Sequence, residues 1–393
     1  MRIALLTPYF APDVYSGIAQ YIEDLALQLA NNGHDVEVFS ICYKSRCAYE
    51  ERNGFKVFWV LNSKTLWSKR MPFLGVVRMS FKTRSLLKKR HVFKPFDIVE
   101  YPNDGVIGLA ALLLKLPCPL PKFVNRLSSP KAVYIKLRNY YRFTEYIEGL
   151  QARLSDAIIG NTQANLDICR QAYGFSSDLA HCVILHGLSV ESESVVEPCV
   201  LNNDNKLSVF FLGRMEDRKG FDLLVKSWPM VVSAVPNARL IAAGEDMPYR
   251  EGQSFYNWVV SETDSKVFDS IEYLGSISFE DREMNFQCCD ICVIPSRYES
   301  FCITALEAMR HSKPVVCFDV GGISEVVSHD VSGLLVPQES CEQLAESLIT
   351  LLKNKEKRVL LGNNAYHELL SKFTLSQMLS KTEDFYYSLI LPR

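Results

Sequence analysis

No apolar run in this chain is long enough to cross a bilayer. The longest, residues 105–114, stops at Lys115, well short of the about 20 residues that a spanning helix requires. A cleavable leader is not expected either. The opening Met1-Arg2-Ile3-Ala4-Leu5-Leu6-Thr7-Pro8 is too short, ends at proline instead of a small-residue cleavage site, and continues like a first core strand. The expectation is a cytoplasmic protein. No GxGxxG follows the first strand, which disfavours a nicotinamide-dependent oxidoreductase. Cys289-Asp290-Ile291-Cys292 is formally a CxxC, but no second pair or His cluster accompanies it. Residues three apart on a strand also face opposite ways. The twelve cysteines therefore read as small core residues in a reducing compartment, with no disulfide frame and no metal site.

Acidic residues are absent over long stretches. Residues 52–96 hold twelve Lys and Arg and no Asp or Glu, with Trp59, Trp67, Phe73 and Phe81 interleaved. Residues 105–144 hold seven more, again without an acid. The net charge of −2 thus conceals +6 over residues 1–199 and −8 over the rest. Whatever the first half touches is expected to be anionic. A helical pattern over 76–90 sets Val76, Val77, Phe81 and Leu86/Leu87 on one side and Arg78, Lys82 and Lys89 on another. Such a basic amphipathic helix has two readings: it lies on an anionic membrane surface, making the protein peripheral on its inner face, or it is an ordinary surface helix whose lysines keep it soluble. Nucleic acid is not an expected partner, since no binding motif is present and the overall charge is slightly acidic.

At 393 residues, 48% hydrophobic and 22% charged, the chain exceeds what a single core usually serves, so two domains are expected. The start reads strand (3–7), loop with Pro8, Pro12 and Gly17, helix (18–31), Gly33 stop, strand (36–40): a βαβ opening. Further strands are predicted at 56–61, 98–100, 122–125, 157–160 and 182–185. A polar, turn-rich segment at 201–206 reads as a linker. The same grammar then restarts, with strands at 207–212, 238–242, 271–274, 291–295 and 314–318 and helices at 221–235, 303–310 and 341–352. The prediction is an α/β protein of two tandem domains, 1–198 and 199–375, with a last helix in 376–393 that no strand follows.

The chemistry concentrates around Glu299 and Glu307. The buried strand before them places Glu299 on the loop leaving it, and Glu307 about one turn inside the helix that follows. Between the two acids the helix N-terminus offers free N–H groups, a seat for phosphate. Carboxylates able to hold hydroxyls on either side of a phosphate describe a nucleotide-sugar site. In Phe211-Leu212-Gly213-Arg214-Met215-Glu216-Asp217-Arg218-Lys219-Gly220, Arg214 and Lys219 leave another strand at its carboxyl end, where open α/β sheets bind ligands. Arg suits bidentate phosphate binding and Lys a compact charge. Gly275 lets backbone approach a flat base, and Gly321-Gly322 permits a sharp turn.

Gly17-Ile18-Ala19, Gly213-Arg214 with Lys219-Gly220, Glu299 to Glu307, Gly321-Gly322-Ile323-Ser324-Glu325 and Gly333-Leu334-Leu335-Val336-Pro337, in this order, resemble family 4 of the retaining glycosyltransferases (group 1). The match runs from about residue 1 to 375 and is most specific in the second half. The resemblance implies the GT-B fold: two tandem Rossmann-like domains with a deep interdomain cleft, acceptor side first, nucleotide-sugar side second, the terminal helix crossing back to the first. It implies a retaining, metal-independent hexosyltransferase that moves sugar from a nucleotide-sugar, with UDP or GDP expected, to a glycan or lipid-linked acceptor in polysaccharide or glycoconjugate biosynthesis. There is no cofactor beyond that co-substrate.

By the same resemblance, Arg214 and Lys219 hold the pyrophosphate, Glu307 the ribose and Glu299 the transferred sugar. Ser300, Phe301, Cys302 and Ile303 contact sugar and phosphate through backbone; Gly275 and Ile277 lie by the base, and Gly17 closes over the phosphates. Two departures stand out. Asn125-Arg126-Leu127-Ser128 has Ser128 where relatives carry His, while Arg126 keeps register as a substrate-side residue. His186-Gly187 stands where relatives have Asn-Gly, and His186 reads as a turn residue. The competing readings are a GT-B-like nucleotide-sugar 2-epimerase, for which the expected extra acids and His are not evident, and a non-catalytic nucleotide-sugar binder.

Overall fold

In the computed structural model, which describes residues 1–10, 17–42, 49–61, 72–128, 139–190, 206–250 and 252–391, the chain divides into two compact units. One comprises Met1–His186 with Leu375–Arg393, the other Gly187–Thr374. Most of the predicted linker at 201–206 lies outside the described residues, as do Trp67 and the side chain of Phe73.

The first unit runs β1 (Arg2–Thr7), α1 (Gly17–Asn31), β2 (Asp35–Cys42), β3 (Tyr49–Arg52), β4 (Phe55–Leu61), α2 (Pro72–Phe93), β5 (Ile98–Pro102), α3 (Leu109–Leu114), β6 (Lys122–Arg126), α4 (Asn139–Leu154), β7 (Ala157–Gly160), α5 (Gln163–Tyr173) and β8 (Ala180–Val183). Its sheet has the order β3-β4-β2-β1-β5-β6-β7-β8. Only β3 is antiparallel, joined to β4 through Asn53 and Gly54, both at positive φ. That is the hairpin such a dipeptide favours, and apolar periodicity alone passes over it.

The second unit runs β9 (Leu207–Leu212), α6 (Phe221–Ala234), β10 (Ala238–Ala243), α7 (Phe255–Ser261), β11 (Ile271–Tyr273), α8 (Phe279–Cys288), β12 (Ile291–Ile294), α9 (Ile303–Arg310), β13 (Val315–Phe318), β14 (Gly333–Val336), α10 (Cys341–Lys353) and α11 (Lys355–Lys372). The order is β11-β10-β9-β12-β13-β14 with every pair parallel. Strand β14, not among the predicted strands, closes the edge. The final helix, α12 (Leu375–Ile390), belongs to the first unit.

Alternation along β1 shows how the first unit's core is split. Ile3 and Leu5 pack with Ile22 and Leu25 of α1 and with Met378, Leu379 and Tyr386 of α12. Ala4 and Leu6 pack on the opposite face with Met79 and Leu87 of α2 and Ala111 and Leu112 of α3. A period of two on the strand thus feeds two helical layers. Among the described side chains of α2, Met79, Ser80, Thr83, Leu87 and His91 are buried. The two-sided pattern read from the sequence needs correction here. Phe81 does not join Leu87 but faces solvent with Lys88, Lys89, Val92 and Phe93.

The central strands β12 and β13 of the second unit are continuous apolar runs, as strands covered on both faces require; Ile291–Ile294 and Val315–Phe318 are wholly buried. Cys289 and Cys292 are free thiols in this core, as are Cys302 and Cys317. In the second sheet the strand order reverses between β9 and β12. At such a switch point the two following loops diverge to opposite sides and leave a crevice at the strands' carboxyl ends.

Candidate active site

The loop after β9 carries Arg214, Arg218 and Lys219, and the loop after β12 carries Glu299 to Cys302, so the switch point sets them side by side. Two glycines allow the loops to touch. Gly220, at φ 69°, has its open side 1.8 Å from the Pro295 carbonyl oxygen as measured from where a Cβ would stand; Gly321, at φ 56°, has the same relation to the Glu299 carbonyl at 2.0 Å. A side chain at either would drive the loops apart. Arg297, whose amide donates to the Arg218 carbonyl, is itself braced by Asp222 at 2.7 Å and Glu339 at 3.1 Å.

Glu299 is 6% exposed. Its Oε1 accepts from Lys219 Nζ and from Ser296 Oγ, both at 2.7 Å, and Arg218 Nη1 lies 3.5 Å from Oε2. Burial pushes this carboxyl up, but Lys219 and Arg218 outweigh it and hold the group below its ordinary value. Glu307, on α9, is equally buried and sits 3.1 Å from Arg282 of α8. Here burial dominates and Arg282 and Arg310 recover only part, so the carboxyl is raised. The two acids are therefore tuned in opposite directions.

Between them Phe301 and Cys302 are buried, and Phe301 meets Phe373 edge-on at 6.1 Å. Cys302 enters α9 at φ 83°, a left-handed conformation that costs an L-residue about 1–2 kcal/mol. It has no side-chain cap bond to the helix. Ser300 and Ile303 are half-buried beside it. Gly275 follows β11 at φ 67° with open space where a side chain would stand, and Ile277 is half-buried two residues on.

Other expected residues lie apart or differ in setting. Arg214 stands in the same loop but is 48% exposed and paired with Glu216 at 3.0 Å, so it is not a buried charge. Gly17 opens α1, and Arg126 ends β6, both in the first unit. Arg126 is buried: Nε donates to Glu100 at 2.9 Å, and Nη2 reaches Glu100 at 3.3 Å and Thr382 of α12 at 3.5 Å. Its guanidinium also lies 4.7 Å from the Tyr21 ring. These contacts anchor Arg126 within its own unit, while its Nη1 stays buried without a hydrogen-bond partner among the described residues.

Ser128 N and Oγ both donate to Asn103 Oδ1 at 2.7 Å. His186 packs 5.0 Å from the Tyr21 ring, and burial, with Arg126 nearby, lowers it to about 3, which keeps it neutral. Sequence reasoning missed Arg218 and Arg282 as partners of the two acids. Adjacency to Lys219 could have suggested the first; nothing local marks the second.

Two family models match the chain: glycosyl transferases group 1 over residues 198–368 and glycosyltransferase family 4 over residues 15–187. The chain belongs to the family 4, group 1 glycosyltransferases. This glycosyltransferase is similar to an uncharacterised glycosyltransferase of Methanocaldococcus jannaschii, 24% identical over 98% of each chain. It is also similar to O-antigen chain mannosyltransferase C of Escherichia coli, 22% identical over 99% of each. In fold it resembles sucrose-phosphate synthase from Thermosynechococcus elongatus, with a TM-score of 0.82 at 20% identity over 99% of this chain and 98% of that one. Anabaena HepE in complex with UDP-glucose gives 0.74 at 18% identity over 99% and 100%. The family 4 fold is thus GT-B: two α/β units, each built on a parallel-dominated sheet.

Proposed function

We propose that this glycosyltransferase moves a hexose-type sugar from a nucleoside diphosphate sugar to a glycan or lipid-linked acceptor, with retention of configuration and without a metal. The observation that carries the reading is the Lys219–Glu299 pair at 2.7 Å beside the N-terminus of α9, with Glu307 one turn further in. In this reading Lys219 and Arg214 neutralise the diphosphate as its bond to the sugar breaks, supplying positive charge in place. Glu307 accepts from the ribose hydroxyls, Glu299 from those of the sugar, and backbone at Ser300, Phe301, Cys302 and Ile303 meets sugar and phosphate. Gly275 and Ile277 flank the base, and Gly17 approaches the phosphates. The acceptor oxygen bonds to the anomeric carbon on the face the phosphate leaves, and a departing phosphate oxygen takes the acceptor's proton. No separate general base is then required.

The site so read differs from a 2-epimerase, which keeps or frees the sugar without an acceptor. HepE, seen with UDP-glucose, makes UDP the first nucleotide to try, followed by GDP. The first unit is further read as docking on an anionic membrane through α2 and α3, which would bring the enzyme to a lipid-linked acceptor in polysaccharide or glycoconjugate synthesis.

The test is thermal stability against UDP, GDP, ADP and dTDP and their sugars, in the unaltered protein and in Lys219→Ala and Glu307→Ala. A ligand at a hundred times its Kd stabilises by about 2.7 kcal/mol. A shift with one nucleotide, lost in both variants, is the expected result. Equal shifts in all three proteins would refute the site. Release of epimerised or free sugar without acceptor would favour the epimerase.

A further inference from the structure

The site poses a charge problem that the donor reading leaves open. Lys219 is assigned to the diphosphate, yet its ammonium is spent on Glu299 at 2.7 Å. Glu299 is buried, so when Lys219 turns to phosphate the carboxylate would be left in a low-dielectric site without a cation, a costly state. Ser296 supplies a hydrogen bond but no charge. Only one other cation stands within ion-pair distance of Glu299 among the described residues, and it approaches the opposite carboxylate oxygen: Arg218, whose Nη1 is 3.5 Å from Oε2. The guanidinium is fixed from two other sides. Nη1 donates to the Tyr298 carbonyl at 3.2 Å and Nη2 to Glu216 at 3.0 Å. It therefore spans the two loops and stays in place whatever Lys219 does.

We propose that Arg218 is a positioning residue that serves as the standing counter-ion of Glu299, releasing Lys219 for the donor's diphosphate. This rests on the donor-site reading of Lys219 and Glu299. Arg218 itself touches neither sugar nor phosphate. It acts through Glu299, holding that carboxylate charged and aimed while Lys219 exchanges one anion for another. Without Arg218, Glu299 would retain Lys219, and the diphosphate would have to compete with a buried carboxylate for it.

The two backgrounds that separate this from a plain packing role are Glu299 and its neutral isostere. Kd for UDP, GDP, ADP and dTDP is measured by calorimetry in the unaltered protein, R218M, R218K, E299Q and R218M/E299Q. R218M is expected to weaken binding of the accepted nucleotide by about tenfold or more. R218K, which keeps a cation, is expected to fall between. In the E299Q background the same R218M change should alter Kd by less than about twofold, because a neutral amide makes no claim on Lys219. The contacts to Tyr298 and Glu216 are lost in both backgrounds, so a general loosening of the loops would weaken binding equally in each. Equal losses, or no loss in either, would overturn the role of Arg218 while leaving the donor site standing. If the unaltered protein binds none of the four nucleotides, the donor-site reading fails, and this inference with it.

Discussion

Glu299 and Glu307 are both buried acids, but they affect stability in opposite ways. Glu299 is held below its usual 4.5 by Lys219 and Arg218, which outweigh burial. Its stabilising contribution is complete above the ordinary carboxylate value and is lost as pH falls through the lowered one. Glu307 is raised by burial. It adds nothing at low pH, and its penalty grows as pH rises from 4.5 through the raised value. Replacing Glu299 by Gln should therefore lower stability at pH 7 by about 1–3 kcal/mol, since two cations lose a buried partner. Replacing Glu307 by Gln should leave the empty protein as stable or more so, while weakening nucleotide binding. Chemical denaturation between pH 4 and 8 checks both; a loss at Glu307 as large as that at Glu299 would contradict the assigned directions. The spacing of these acids was legible because one strand, one loop and one helix fix it locally. Their cations were not. Lys219 and Glu299 are 80 residues apart, and only the adjacency of β9 and β12 brings their loops together.

Among elements, α12 shows most clearly what a pattern can and cannot give. Leu375, Met378, Leu379, Thr382 and Tyr386 recur at helical spacing, so the helix was readable, but not what it covers. In the structure it returns to the first unit and completes a buried polar knot. Tyr386 OH donates to Glu100 Oε2 at 2.6 Å and Tyr21 OH to Oε1 at 3.2 Å, while Arg126 binds both oxygens. Asn32 and His34 also reach Glu383 at the helix's outer side, His34 at 2.7 Å. Losing a hydrogen bond to a charged group costs about 1.5–3 kcal/mol. Tyr386→Phe keeps the ring and deletes only the hydroxyl, so the unfolding free energy of the first unit should fall by that amount, with nucleotide binding in the second left unchanged. Denaturation followed by fluorescence of Trp59, which lies in the same core, reads it. No change would mean that the carboxylate is satisfied without Tyr386. Short edge strands were the other gap. β3 hangs on an Asn-Gly turn, and β14 has only four residues, too few for alternation to speak.

For the whole chain, charge is unevenly distributed. The excess of +6 over residues 1–199 and −8 over the rest would mean little if the basic side chains were all matched by acids. Some are: Arg90 pairs with Glu37 at 2.6 Å and Lys94 with Asp35 at 2.7 Å. Around them, though, α2, α3 and the segment to Lys122 contribute no carboxylate of their own. Lys88, Lys89 and Lys115 point outward among Phe81, Val92, Phe93, Leu113, Leu114 and Leu120, with Phe93 80% exposed. Arg84 ties the two helices together by donating to the Leu114 and Lys115 carbonyls at 3.0 and 2.9 Å. No helix among the described residues is long and apolar enough to cross a membrane. Apolar side chains that enter the acyl boundary beside lysines that meet headgroups suit an anionic bilayer better than a polyanion, which has no use for leucines. Asp35, bound by Lys94, is the first residue of β2; this end of the patch therefore lies where strands begin, and docking there would leave the carboxyl ends of the sheet, where open α/β sheets bind ligands, uncovered. The protein should cosediment with vesicles containing phosphatidylglycerol and not with neutral phosphatidylcholine vesicles, and should be released by salt near 1 M, where the screening length is about 3 Å. Each lysine near the surface contributes about 1 kcal/mol, so Lys88→Glu with Lys89→Glu should weaken binding by more than about tenfold. Phe93→Ser should weaken it by a similar factor at every salt concentration below that release, because its share is apolar. Equal binding to neutral vesicles would overturn the role of the lysines, and no binding to anionic ones would rule out the membrane and leave another protein chain as the occupant of this face.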